Sequence, residues 1–257
     1  MERVSAPPTA RRGRSTRGGV PTVLPEPVTS GPVTLFDGVV PSDRPGPPGH
    51  AVEVLPDAVH VPAWLDVPAQ QHWAAAFREW ARPPAGLRHP RMPTGHLMTV
   101  QSVCLGWHWQ PYAYTRTADD TDGAPVKPLP ADLFELARDA VATVYGDAGS
   151  YAPDAVIANL YAPGARLGLH CDGEEPADAP VVTLSLGDTC LFRFAGVDRR
   201  TAPFVDVWLH SGDLLVFGGE TRRIYHGVPK VLPGTAPAGL GLPPGRLSIT
   251  IRETGLS

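Results

Sequence analysis

Three cysteines, Cys104, Cys171 and Cys190, are all that the 257 residues contain. They are too few and too scattered for a disulfide framework, and no two form a CxxC pair, so the composition points to a reducing cytoplasm. No run of about 18 apolar residues exists, which excludes a helix that crosses a membrane. The Arg-rich start has no apolar stretch of the kind a signal peptide needs, and the twin Arg11 and Arg12 run into polar, Pro-rich sequence, so export is not expected. An excess of basic charge is also missing. A formal net charge of −4 and a pI near 6.1 exclude a chain coated with phosphate-binding cations, while a local basic groove stays allowed. Neither an internal repeat nor a glycine-rich phosphate loop is present.

What the chain does have is proline and glycine, 31 and 27 of them. Residues 1–50 hold 10 Pro and 7 Gly with almost no periodic apolar pattern, and the first 19 residues set five arginines against Glu2. That composition reads as a disordered tail. Hydrophobic residues make up 42% of the whole, so the remainder, 51–257, can bury a sizeable core as one domain.

Within 51–257 the apolar pattern changes period. Val52, Val54, Val59 and Val61 suggest short strands. From 68 to 81 the spacing predicts a helix: Asp66 precedes a first-turn Pro68, and Trp73, Phe77 and Trp80 fall on one face. A second helix is expected over 131–145, with Leu133, Leu136, Ala137, Ala140, Val141 and Val144 inward. Between the helices, 91–128 carries an aromatic cluster (Trp107, Trp109, Tyr112, Tyr114) and then a turn cluster at Asp119–Gly123. From 154 onward come eight short strand-like runs, at 155–162, 167–170, 180–186, 190–194, 204–210, 213–217, 222–228 and 246–252. The expected class is α+β, mainly β: a double-stranded β-helix (jelly-roll) core over 151–257, preceded by helices over 51–150.

Residues with the chemistry of a site concentrate in this second half. In a strand, i and i+2 share a face, so His170 and Asp172 can reach one point, and His226 is the best candidate for a third ligand. Two imidazoles and one carboxylate on one side of an ion suit a non-haem Fe(II) oxygenase, which needs open positions opposite; zinc on the same ligands would suggest hydrolysis. Arg246 and Arg252 are six apart on an apolar strand, so both point to one face. Buried there they call for an anion, and a diacid suits two guanidinium groups. Asn159 and Tyr161, two apart, can add neutral hydrogen bonds. The alternative is that one arginine pairs with Glu220 or Asp213 and the other ends in water.

Asn159-x-Tyr161-x-Pro163-Gly164, His170-x-Asp172, Leu186-Gly187-Asp188, His210-Ser211-Gly212-Asp213, Gly218-Gly219-Glu220, Tyr225-His226-Gly227 and Arg246-x5-Arg252 follow one another in fixed order. Together they resemble the AlkB family of Fe(II)/2-oxoglutarate dioxygenases, strongly over about 154–255 and more weakly over 91–145. The resemblance implies Fe(II) on the catalytic trio His170, Asp172 and His226. It also implies 2-oxoglutarate on Asn159, Tyr161, Arg246 and Arg252, with O2 as oxidant. The implied reaction is oxidative dealkylation of an N-alkylated base in DNA or RNA, with aldehyde, succinate and CO2 released; a protein side chain, lipid or small metabolite is the alternative target.

By the same resemblance, 91–115 forms a nucleotide-recognition lid. Trp107 is the expected stacking platform, with the base held between it and His170; Tyr112, Thr94 and Arg199 are expected at the substrate's phosphates, and Glu174 at the base edge. Glu174 stands where relatives usually carry Asp, and residues 107–112 look shorter than their counterpart. Alkylated single-stranded DNA is the expected partner, and a cytoplasmic monomer the expected state.

Overall fold

A computed structural model describes residues 49–257, so the expected tail lies, up to residue 48, outside the described residues. Two short strands, β1 (Val52–Leu55) and β2 (Ala58–Val61), lead into helix α1 (Val67–Trp80). Asp66 caps this helix, its Oδ1 accepting from the Ala69 N–H at 2.8 Å, and Pro68 sits in the first turn where no amide donor is needed. Trp73, Phe77 and Trp80 are all buried, as their spacing demands.

The segment between the helices holds more strand than its mixed aromatic and polar composition shows. It forms β3 (Gln101–Leu105) and a hairpin, β4 (His108–Gln110) and β5 (Ala113–Thr115). Helix α2 (Ala131–Tyr145) follows and stops at Gly146, whose φ of 84° suits a left-handed cap. The eight remaining strands are β6 (Ala155–Tyr161), β7 (Leu167–His170), β8 (Val181–Gly187), β9 (Cys190–Phe194), β10 (Val205–Leu209), β11 (Leu214–Phe217), β12 (His226–Val231) and β13 (Arg246–Arg252). The run expected as a strand from residue 222 instead begins at His226. Residues Gly219–Thr221 form a 3-10 turn, and Arg222 and Arg223 follow it as tethers to the loop after β7.

The strands make two principal antiparallel sheets. The larger runs β1-β2-β11-β8-β13-β6-β3 and the smaller β10-β9-β12-β7, the double-sheet arrangement of a jelly roll. β13 is buried on both faces, and its alternation divides the labour. Leu247, Ile249 and Ile251 join the core that the larger sheet shares with α1 and α2, while Arg246 and Arg252 line a hollow together with Ser248 and Thr250. Each of those three aliphatic side chains contributes about 1.5–3 kcal/mol of burial, which anchors the polar face of the strand from behind. Among the described residues no helix is long and apolar enough to cross a membrane.

Candidate metal and cosubstrate site

His170 ends β7, His226 begins β12, and the two strands pair so that these residues face each other in register. Asp172 follows two residues after His170. The ligand atoms of the three lie within 4.8 Å of one another, the one such cluster among the described residues. His170 Nε2 is 3.6 Å from Asp172 Oδ1, and His226 Nε2 is 4.0 Å from Asp172 Oδ2.

The imidazoles are oriented by their own backbone. Nδ1 of His170 meets the Gly168 carbonyl, and Nδ1 of His226 meets the Ile224 carbonyl, each at 3.0 Å. A carbonyl only accepts, so each Nδ1 carries the proton and each Nε2 lone pair faces the centre. Burial, and then the neighbouring His170, pushes His226 down to about 4, so it is neutral at pH 7 and free to donate electron density. Phe192 stacks on the His226 ring at 5.6 Å.

Close approach of the two strands depends on Gly227. A Cβ there would sit 2.8 Å from the Leu167 carbonyl oxygen and 2.9 Å from that of Gly168, both rigid backbone. Gly227→Ala is therefore expected to push β12 from β7 and weaken metal binding at least tenfold, an effect that titration with Co(II) measures; unchanged affinity would show that the trio does not need this register.

Asp172 is held more firmly than either histidine. Its Oδ2 accepts from Arg252 Nε at 3.0 Å and Nη2 at 2.6 Å, and its main-chain oxygen accepts from Arg222 and Arg223. Burial alone would raise its pKa, but the Arg252 guanidinium, its hydrogen bonds and the two neighbouring histidines together hold the carboxyl well below the usual range. Oδ1 is left facing the imidazoles. Glu175, also buried, ties in behind: it accepts from the Tyr114 phenol and pairs with Arg222 at 3.3 Å and Arg252 at 3.4 Å.

Arg246 faces a different situation. It is 1% exposed; Nε donates to Ser185 Oγ at 3.0 Å, but Nη1 and Nη2 are buried and make no hydrogen bond within the protein. Arg252 Nη1 shares that condition. A buried guanidinium with free N–H groups is costly unless an anion meets it, so these atoms fit a carboxylate at either end of a diacid. Asn159 and Tyr161 line the same hollow as both arginines and both histidines. Burial pushes the Tyr161 phenol up to about 12, so it remains a donor. The donor set of the trio fits Fe(II) equally well: two neutral nitrogens and one carboxylate oxygen on one side. The alternative pairing of an arginine with Asp213 or Glu220 is replaced by the Arg252–Asp172 pair.

A cavity of about 450 Å³ opens beside the trio, lined by Met92, Met98, Trp109, Tyr112, Tyr114 and Glu174 among others. Of the expected substrate contacts, Tyr112 and Glu174 are on this wall. Trp107, Thr94 and Arg199 are not. Gly106, at φ 74°, packs so close to Asp154 that a Cβ would fall 1.9 Å from its carbonyl oxygen, and the chain turns Trp107 inward. Its indole N–H donates to Asp154 Oδ2 at 2.9 Å, and Arg116 covers its ring at 3.4 Å. The aromatic wall is Trp109 instead. Thr94 sits in an exposed stretch of which Met92, Met98 and Thr99 reach the cavity, and Arg199 yields its place to Arg200, which lies 4.8 Å over the Tyr225 ring. Cys171, between the two ligands of the loop, reaches the cavity wall and donates from Sγ to the Arg223 carbonyl at 3.1 Å.

Sequence reasoning missed Trp109, Tyr114, Glu175, Arg222 and Arg223 as residues of this site. The signals were present as a second acid after Glu174 and an arginine pair before Tyr225-His226, but a buried arginine and a solvated one look alike in sequence.

The family model described as the 2OG-Fe(II) oxygenase superfamily matches residues 57–252. Alpha-ketoglutarate-dependent dioxygenase AlkB of Escherichia coli is 38% identical over 170 residues, covering 63% of this chain and 75% of that protein. DNA N(6)-methyladenine demethylase ALKBH1D of Arabidopsis thaliana is 32% identical over 221 residues, covering 78% of this chain; the chain spans 50% of the length of that relative. The solved structure of OsALKBH1 superposes with a TM-score of 0.70 at 30% identity, covering 79% of this chain and all of the other.

Proposed function

The chain belongs to the 2OG-Fe(II) oxygenase superfamily and, within it, to the AlkB family, and from that premise we propose that it oxidatively dealkylates N-alkylated bases in nucleic acid. Residues 51–257 act as one dioxygenase domain, a cytoplasmic monomer, with alkylated single-stranded DNA as its first substrate. The observation that carries this reading is the aromatic, partly acidic cavity that opens on His170 and Asp172 of the metal trio.

His170, Asp172 and His226 would hold Fe(II), which with 2-oxoglutarate and O2 supplies the oxidising power to hydroxylate a carbon attached to nitrogen. Arg246 would grip one carboxylate of the cosubstrate, and Arg252 Nη1 the other, while Asn159 and Tyr161 complete the hollow. Trp109 and Tyr114 would face the base. Glu174 would favour a base made cationic by alkylation, since a carboxylate in a cavity of low polarity discriminates strongly by charge. Arg166 and Arg200, both exposed at the cavity, would meet phosphates. A hydroxymethyl group on the base nitrogen then falls away as aldehyde, leaving the free base. A target base in a duplex must first leave its stack, at a cost of a few kcal/mol.

Incubation of the full chain with methylated single-stranded DNA, Fe(II), ascorbate and 2-oxoglutarate is expected to lower methyl-base content with matching formaldehyde. Succinate formation with no loss of methyl base would overturn the choice of substrate while leaving the chemistry standing. Trp109→Ala is expected to raise KM for the modified strand by about 10- to 100-fold, the worth of one stacked base, whereas Trp107→Phe, which removes the Asp154 hydrogen bond and part of a buried ring, should act on thermal stability. The reverse pattern would return the platform to Trp107.

A further inference from the structure

Behind the cavity wall lies a second cluster of titratable side chains that the dealkylation chemistry does not use. Arg88, Cys104 and His108 are buried, at 8%, 1% and 2% exposure, and Asp120 joins them with a side chain 16% exposed. Asp120 Oδ1 is 2.6 Å from His108 Nε2 and accepts from Arg88 Nε at 3.1 Å. The arginine continues inward, donating from Nη1 to the Ser102 carbonyl at 3.0 Å and to Cys104 Sγ at 3.6 Å.

All of this converges on the backbone of Trp109. Its N–H donates to Cys104 Sγ at 3.4 Å, and its carbonyl accepts from Arg88 Nη2. The hairpin geometry explains why these groups are available. Gln110 and Ala113 close a two-residue loop and take the hydrogen-bonded position, so the next pair, Trp109 opposite Tyr114, turns its main-chain groups out of the hairpin. Left alone, that edge of a two-stranded ribbon would face solvent and the ribbon would be marginal. Here it is bonded to side chains anchored on β3.

We propose that the Arg88–Asp120–His108–Cys104 cluster is the positioning device for Trp109, holding the aromatic wall of the cavity by both main-chain polar groups and thereby setting affinity for the base. Its claim on the base rests on the reading of the cavity given above; its claim on Trp109 does not. Sulfur accepts here from the Trp109 and Arg88 N–H groups, and it lies 3.9 Å from the Trp109 carbonyl, to which a thiol proton can be donated. Although burial raises a thiol, the adjacent His108 imidazole, the Arg88 charge and the Trp109 N–H together outweigh it and lower Cys104, which strengthens its role as acceptor. Asp120 works at one remove, holding His108 and fixing Arg88 so that the remaining N–H groups of the arginine meet the sulfur and the Trp109 carbonyl.

Asp120→Asn, Cys104→Ala and Cys104→Ser separate this role from simple structural support. Amide hydrogen exchange over residues 105–116 is expected to speed up about tenfold in the first two, the worth of one lost hydrogen bond, and to stay near the parent rate in Cys104→Ser, whose hydroxyl still accepts. KM for methylated single-stranded DNA should rise by a similar factor in Asp120→Asn and Cys104→Ala, while Co(II) affinity stays at the parent value. Unchanged exchange in both variants would overturn the positioning role. Faster exchange with unchanged KM would overturn its bearing on affinity. A parent protein that does not demethylate the strand refutes the cavity reading and, with it, the link to base affinity; the exchange experiment still decides what holds Trp109.

Discussion

Asp172→Ala is expected to abolish both metal binding and turnover. The carboxylate supplies the only anionic ligand among the three, and two imidazoles on adjacent strands do not hold a ferrous ion tightly by themselves. The loss reaches further than one bond, because Asp172 Oδ2 neutralises Arg252. Removing the carboxylate leaves that guanidinium buried with only Glu175 nearby, a change that costs about 3–5 kcal/mol when a buried pair is broken from one side. Asp172→Ala should therefore also melt earlier, and Asp172→Asn, which preserves shape, should recover part of the melting temperature but not the metal. Calorimetric titration with Co(II) beside a thermal melt checks both. Near-parent Co(II) affinity in either variant would refute the ligand assignment.

The second large effect is expected at Arg246, and its stability consequence has the opposite sign. Replacing this residue with methionine removes two guanidinium nitrogens that are buried without a partner in the protein, so the variant should be as stable as the parent or more so. Affinity for 2-oxoglutarate should fall by about 2–5 kcal/mol, roughly 30-fold to several thousandfold, since one member of a buried charge pair with the cosubstrate is gone. The parent should gain melting temperature when 2-oxoglutarate is added with a metal, and Arg246→Met should not. An unchanged cosubstrate requirement would mean that the carboxylate lies elsewhere. Arg252→Ala is a mixed case, because most of that guanidinium already serves Asp172 and one nitrogen, Nη1, remains. It should lose metal as well as cosubstrate, whereas Arg246→Met loses cosubstrate alone.

Much of the frame was legible in the residues. The 3.6-residue period placed α1 and α2 to within a residue or so, because each helix buries one apolar stripe and Asp66 marks where a start is cheap. Strand alternation put Arg246 and Arg252 on one face of β13, and His170 and Asp172 within reach of one point. The hairpin was not legible. Three-residue strands carry no usable period, and a segment rich in tryptophan and tyrosine reads the same whether its rings line a cavity or fill a core.

That difference shows where the sequence by itself stops. Local spacing determined which residue types could act together, the trio, the arginine pair and Asn159 with Tyr161, since neighbours within one strand have fixed directions. Only the tertiary structure decided which partners they meet. Arg252 joins Asp172 and Glu175, Trp107 turns inward to Asp154 while Trp109 faces the cavity, and four side chains from β3, β4 and two flanking loops gather behind it. Such contacts join residues up to 80 positions apart, and their geometry depends on how strands register and where glycines let backbones touch, which no short window of residues encodes.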